Sequence, residues 1–196
     1  MGKILFDTAT TINGWIADER NSLAWLFAVE NGEHPDEGLF PSGVAVMVEG
    51  STTYEWVLAE SDILAHPEKW AEFHGDRPTF VFTTRELPVP EGADIRFVSG
   101  PVEAALPAIR EAAGGGDIWV VGGGDLAGQF LDADALDEIA LSVAPVALTG
   151  GAPLLPRRVE SDRLRLESAE KVGQFARLVY SVGGAPTRRA AASAAG

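Results

Sequence analysis

The chain has 196 residues, 46% of them hydrophobic, and a formal net charge of −14 from 15 basic and 29 acidic side chains; this fits one domain with a sizeable core. The acidity argues against a nucleic-acid binder, which needs a basic face, and an anionic ligand would have to be held by local charge and backbone dipoles against the overall field. No cysteine is present, which excludes disulfides, thiolate metal sites and cysteine nucleophiles, and no apolar run approaches the ~20 residues of a membrane span.

Lys3 to Thr11 reads as a first strand, apolar at Ile4, Leu5 and Phe6. The chain enters it directly from Met1 without a signal-peptide pattern, so a cytoplasmic protein is expected. Asn13-Gly14 is a turn signal. Ser22 to Phe27 has apolar residues near helical spacing and predicts the start of a first helix. Gly32 to Ser42 reads as a loop, and Val44 to Val48 as a second buried strand. In the segment that follows, Thr52 with Glu55 fits a capping box at a helix start. A short helix is predicted over Pro67 to Phe73, with His66-Pro67 at its beginning and His74-Gly75 at its end. His34, His66 and His74 are not spaced as a metal pair and read as surface or structural residues, so no metal site is expected. Thr79 to Thr83 predicts a third strand, followed by Thr84-Arg85, and Ala93 to Ser99 a fourth. Pro101 suits the first position of a helix whose buried face is Val102, Ala105, Leu106 and Ile109. Pro107 predicts a kink in it, and Gly114-Gly115-Gly116 ends it.

The stretch from Asp117 to Pro156 organises the rest. An apolar run, Ile118-Trp119-Val120-Val121, meets Gly122-Gly123-Gly124, and a helix-like segment runs from Leu126 to Leu131. A second apolar run, Ile139 to Leu148, ends in Thr149-Gly150-Gly151. A buried strand, a glycine turn and a helix start form a phosphate site, because glycine lets the backbone come close to a ligand and the helix start presents N–H groups and a positive dipole end. This reads as half of a dinucleotide site. Arg157-Arg158 reads as a solvated loop. Arg163 to Glu167 alternates as an edge strand does, and Gly173 separates it from Phe175 to Val182, giving a terminal hairpin. Residues 1–183 read as one domain, and the alanine-rich 184–196 as a mobile tail. Strand-helix units followed by a hairpin predict an α/β fold with a mixed, mainly parallel sheet, helices on both faces and an antiparallel C-terminal hairpin. A standard Rossmann domain fails on order, since its G-x-G-x-x-G follows the first strand.

Val120-Val121-Gly122-Gly123-Gly124, the short helix, Leu136-Asp137-Glu138, the alternating strand, Pro145, Gly150-Gly151 and Leu154-Leu155-Pro156 together resemble the reductase domain of bacterial riboflavin biosynthesis, the C-terminal domain of the deaminase-reductase, in the dihydrofolate reductase superfamily. The resemblance covers nearly the whole chain and implies the dihydrofolate reductase-like three-layer fold. It implies that Thr11, Asn13, Gly14 and Ile16 line the cofactor cleft, as a Ser-Leu-Asp-Gly-x-Ile-Ala segment does in that family. It implies a pyrophosphate-binding helix start at Gly50, Ser51, Thr52 and Thr53, where the family has Met-Gly-Arg-x-Thr-Tyr-Glu and Ser51 replaces the arginine that helps hold the 2′-phosphate of NADPH. Thr83, Thr84 and Arg85 are then the adenosine end, with Arg85 in place of the lost charge. Gly122, Gly123, Gly124, Asp125 and Leu126 complete the cofactor site, with a cis peptide between Gly122 and Gly123. Ala9 and Trp25 would face the substrate.

The implied activity is NADPH-dependent hydride transfer to a small heterocyclic or sugar-linked pyrimidine substrate, of the phosphoribosylaminouracil reductase type. No catalytic side chain is assigned. The alternatives are a non-catalytic cofactor-binding relative and a true dihydrofolate reductase. The acid that grips the pterin in the latter would fall at Ser22, the flavin-pathway relatives often have an acid directly before the tryptophan, where this chain has Ala24, and neither residue is acidic. The zinc-binding histidine and cysteines of a deaminase partner domain are absent. The expected partner is a small-molecule substrate, and a homodimer is left open.

Overall fold

A computed structural model describes residues 2–29 and 39–184. His34, most of the loop expected before Val44, and the tail from residue 185 lie outside the described residues. The elements in chain order are β1 (Ile4–Thr11), β2 (Trp15–Ala17), α1 (Ala24–Phe27), β3 (Val44–Gly50), α2 (Ser51–Glu60), α3 (Glu68–His74), β4 (Thr79–Phe82), β5 (Ile95–Val98), α4 (Val102–Ala113), β6 (Asp117–Gly122), α5 (Gly124–Asp132), β7 (Glu138–Ala144), β8 (Ala152–Pro153), β9 (Leu164–Val172) and β10 (Phe175–Val182).

Among the described residues eight strands form one sheet, in the order β5-β4-β3-β6-β1-β7-β10-β9. All pairs from β5 to β7 are parallel. The β10 strand then runs antiparallel to both β7 and β9. The central strands β1, β3 and β6 are apolar on both faces, as parallel strands covered on both sides must be. Successive side chains alternate. Ile4, Phe6, Val46, Val48, Ile118 and Val120 pack under α4 and α5, against Val102, Ile109, Leu126 and Phe130. Leu5, Met47 and Trp119 point to the opposite face, where Tyr54, Leu58, Trp70 and Val81 form the core under α2 and α3. This is the expected three-layer α/β arrangement.

Several local expectations change. The expected Asn13-Gly14 turn forms and leads out of the main sheet. It feeds β2, which pairs with β8 in a separate two-stranded ribbon. The first helix is a single turn, Ala24–Phe27, with no buried residue. The Thr52–Glu55 capping box does not form, because α2 begins two residues earlier with Gly50 as N-cap and the Glu55 carboxylate is engaged by Arg85. Pro101 is the N-cap of α4 rather than its first helical residue. Gly114, at φ 56°, ends that helix in the left-handed region, where glycine carries no Cβ penalty. Arg157 is more than a solvated loop charge. It donates to Asp132 Oδ2 at 2.7 Å and Asp125 Oδ1 at 3.0 Å, tying the segment after β8 to α5. The edge strand β9 exposes Leu166, so its alternation is incomplete. Among the described residues no helix is long and apolar enough to cross a membrane.

Candidate functional site

The parallel strands β1, β3 and β6 deliver their carboxyl ends to one side of the sheet, where open α/β sheets place their ligands. A cavity of about 940 Å³ opens there. Two helix starts share its wall. The strand register sets Glu49 of β3 beside Gly122 of β6, so α2 and α5 begin next to each other. A Cβ on Gly50 would lie 3.8 Å from the Gly122 carbonyl oxygen, and one on Gly122 would lie 2.9 Å from Thr53 Oγ1. Both helices have a glycine N-cap, Gly50 and Gly123, and neither cap carries a side-chain hydrogen bond. The first-turn N–H groups of two helices therefore have no side-chain cap on the wall of one cavity. The Gly122–Gly123 peptide is cis, as the resemblance implied. A Cβ on Gly123 would point into open space, with nothing within 4 Å.

The sequence-derived residues divide into two groups. Ala9, Ile16, Gly50, Ser51, Thr52, Thr53, Gly122, Gly123, Gly124, Asp125 and Leu126 line the cavity. Thr11, Asn13 and Gly14 do not, because their polar groups hold the turn. Thr11 Oγ1 accepts from the Trp15 N–H at 3.0 Å and donates to Asn13 Oδ1 at 2.9 Å. Asn13 Nδ2 donates to the Leu148 carbonyl at 2.6 Å, and Gly14 accepts from the Leu154 N–H at 2.9 Å. These residues lock the end of β1 to the loops around β8. Trp25 also stays off the cavity wall and packs with Leu39, Ala144 and Phe175. Its neighbours Leu26 and Phe27 line the cavity instead, and the Phe27 ring stacks on Trp56 at 6.1 Å. Thr83, Thr84 and Arg85 lie outside the lining too. Arg85 makes a two-pronged pair with Glu55, at 2.9 and 2.5 Å.

Charge on the cavity wall is mostly compensated. Asp125, in the first turn of α5, is held below the usual carboxylate range by Gln129 and Arg157. Asp7 of β1 is buried and receives two bonds from Arg177 of β10, at 2.6 and 2.5 Å. Burial raises the Asp7 carboxyl above its ordinary value in spite of the pull of Arg177. Arg177 also donates to Ser142 Oγ of β7 at 3.0 Å. Asp7 and Ser142 both line the cavity. Sequence reasoning missed this cluster. Its signal was a lone carboxylate inside one apolar strand and a lone guanidinium inside another, which only a buried pair reconciles. His74, read as structural, pairs through Nε2 with the fully buried Glu49 at 3.0 Å and also borders the cavity. Tyr54 is pushed up to about 12 by burial and by Glu49, and its hydroxyl donates to the Pro88 carbonyl at 2.6 Å.

A profile of the RibD C-terminal domain matches residues 61–176, more than half of the chain. The chain belongs to the RibD C-terminal domain family. Among solved structures it is similar to a protein from Shewanella sp. PV-4 provisionally named for riboflavin biosynthesis, at 26% identity and TM-score 0.72, covering 93% of this chain and 99% of that one. The fold is shared with a diaminohydroxyphosphoribosylaminopyrimidine deaminase/5-amino-6-(5-phosphoribosylamino)uracil reductase from Thermotoga maritima, at 14% identity and TM-score 0.60, covering 93% of this chain and 57% of that one. It is shared as well with dihydrofolate reductase from Enterococcus faecalis, solved with NADP(H), at 15% identity and TM-score 0.55, covering 93% and 97% of the two chains. Members of the RibD C-terminal domain family and their fold relatives thus include reductases, and the fold is dihydrofolate reductase-like.

Proposed function

We propose that the protein is an NADPH-dependent reductase that transfers a hydride to a small heterocyclic or sugar-linked pyrimidine substrate bound in the cavity. The observation that carries this reading is the pair of glycine-capped helix starts, α2 and α5, opening side by side onto one large cavity. A dinucleotide pyrophosphate is the anion such an arrangement suits, because both sets of N–H groups and both positive dipole ends converge on it. The open side of Gly123 leaves room for it. NADPH supplies the hydride, and the protein supplies binding, orientation and electrostatics. Thr52 and Thr53 add hydroxyl donors at the α2 start. Arg157 partly neutralises Asp125, which would otherwise repel a phosphate at the α5 start. Ala9 and Ile16 give the β1 side a small apolar wall for a nicotinamide ring. The stacked Phe27 and Trp56 help to exclude water from the far side.

Calorimetric titration with NADPH and NADH tests the reading, followed by cofactor oxidation with a panel of pyrimidine substrates. Saturable NADPH binding is expected, and its absence at millimolar concentration would overturn the proposal. Arg85 extends it to cofactor choice. Its pair with Glu55 is exposed, and exposed pairs contribute little, roughly 0.2–1 kcal/mol, so a 2′-phosphate can draw the guanidinium away. Arg85→Ala is expected to weaken NADPH by about tenfold with NADH unchanged. Glu55→Gln should strengthen NADPH, because it removes the competing carboxylate. Equal losses for both cofactors in Arg85→Ala would make Arg85 purely structural.

A further inference from the structure

The cavity floor carries two polar oxygens held side by side. On one face of the sheet β1 places Asp7 and Ala9, and β7 places Ala140 and Ser142 in register with them. Arg177 of β10 stands opposite Ser142. The two alanines keep this floor low. Asp7 and Ser142 line the cavity, and each is only 3% exposed. Arg177 sits behind them. Its Nη1 donates to Asp7 Oδ1 at 2.6 Å and to Ser142 Oγ at 3.0 Å, and its Nη2 donates to Asp7 Oδ2 at 2.5 Å. One nitrogen thus holds a carboxylate oxygen and a hydroxyl next to each other. The Trp119 indole N–H pins the Asp7 backbone carbonyl as well, at 2.9 Å. Both oxygens are oriented by their surroundings before any ligand arrives, as a recognition site requires. Their chemistry is complementary. Each carboxylate oxygen has two lone pairs, so Asp7 can accept beyond its bonds from Arg177. Ser142 Oγ accepts from Arg177 and keeps its own hydrogen to donate. Arg177 offsets the Asp7 charge, so the floor suits a neutral partner. An acceptor beside a donor matches an N–H beside a carbonyl, the edge of a lactam or imide ring.

We infer that Asp7 and Ser142 are specificity-determining residues of the cavity, Asp7 accepting the ring N–H and Ser142 donating to the adjacent carbonyl of a neutral lactam or imide ring. This rests on the reductase reading, which makes that ring part of the substrate. Ala9, in register with Ser142, belongs to the wall proposed for the nicotinamide, so a ring on this floor lies beside the hydride donor. Arg177 is a positioning residue and acts through the two oxygens it holds.

The test uses isocarbostyril and isocoumarin as probes, titrated by calorimetry into the full-length protein without cofactor. They share shape, neutrality and carbonyl, and differ in that the lactam N–H of the first is a ring oxygen in the second. That oxygen would set an acceptor against the Asp7 acceptor. The native protein is expected to prefer the lactam by about tenfold or more. Asp7→Leu combined with Arg177→Met should equalise the two probes. Ser142→Ala should weaken both by about three- to tenfold and leave their ratio intact, because it removes the donor to the carbonyl that they share. Arg177→Lys keeps the charge but loses the fork, and should shrink the ratio while both probes still bind. The ratio is the readout that a merely structural role would not move, since general damage to the cavity weakens both probes alike. Equal binding in the native protein, no binding of either probe, or a preference that survives the double variant would each overturn the inference. NADPH titrated in parallel reports on the reductase reading alone. A protein that binds NADPH but does not distinguish lactam from lactone keeps its cofactor site and loses this assignment.

Discussion

Two adjacent glycines are expected to give opposite phenotypes when each is changed to alanine. Gly124→Ala should fail as a fold. Its Cβ would lie 2.2 Å from the Pro153 carbonyl oxygen and 2.3 Å from that of Leu154, and both are backbone atoms that cannot swing aside. The start of α5 or the β8 segment must move. Forcing a methyl into packed structure costs about 1–3 kcal/mol, and more where the obstruction is rigid. Gly123→Ala should fold normally, since its φ of −93° suits any residue and no atom lies within 4 Å of the added carbon. The methyl then occupies cavity space beside the first N–H groups of α5. A similar steric cost of about 1–3 kcal/mol, now charged to the ligand, weakens NADPH about 5- to 150-fold. Thermal melting and calorimetry on the two variants check both halves. A normal melting temperature for Gly124→Ala would contradict the packing at the α5 start. Unchanged NADPH affinity in Gly123→Ala would remove this turn from the cofactor site.

The second large effect is expected at Arg177. Its guanidinium and the Asp7 carboxylate form a buried pair, with 11% and 3% of the side chains exposed. Removing one partner of such a pair strands the other charge and costs about 3–5 kcal/mol. Arg177→Met should therefore lower the melting temperature by roughly 10 °C. The loss should also depend on pH with a definite sign. Burial already lifts the Asp7 carboxyl above its ordinary value, and Arg177 is what opposes that lift. The folded protein then holds a proton on Asp7 more readily than the unfolded chain does. The resulting stability is present in acid and disappears as pH rises through the folded value. Without Arg177 the folded value climbs further. Arg177→Met should be least destabilised below about pH 4 and most destabilised near neutrality. The double variant Asp7→Leu with Arg177→Met should recover most of the loss, since an apolar pair of similar volume replaces a buried ion pair at little cost. Chemical denaturation across pH measures all three. A pH-independent deficit in Arg177→Met would show that its role is packing of the aliphatic stem.

Much of this architecture was legible in the sequence because its signals are local. The continuous apolar runs at Ile4 to Phe6, Val44 to Val48 and Ile118 to Val121 mark buried parallel strands. The glycines at Gly122 to Gly124 mark a strand-to-helix turn, and Gly173 marks the terminal hairpin. What escaped depends on contacts between distant residues. The Asn13-Gly14 turn looked like part of a ligand cleft, yet its side chains are spent on Leu148 and Trp15. Trp25 looked like a substrate residue, but the helix that carries it is only one turn long and directs its neighbours Leu26 and Phe27 inward instead. Thr52 and Glu55 had the spacing of a cap. Gly50 took that role through backbone geometry alone, and Arg85 claimed the glutamate. Asp7, Ser142 and Arg177 form the polar floor of the cavity from three strands, and no spacing rule joins positions so far apart.

The place of β1 in the sheet sets the order in which the protein can assemble during synthesis. It precedes the other described strands in the sequence, yet it lies between β6 and β7. Its two neighbours begin at Asp117 and Glu138, so the apolar Ile4 to Phe6 segment must wait for most of the chain before it is covered. The earliest pairing open to the nascent chain is β3 with β4, far from that segment. Asp7 waits longer still, because Arg177 comes from β10. Sheets built from such remote pairings close slowly and expose unpaired edges in the meantime. The polar floor of the cavity is therefore among the last features to be completed, and a chain interrupted before β10 would carry both helix starts but an unneutralised carboxylate on β1, the strand next to β6.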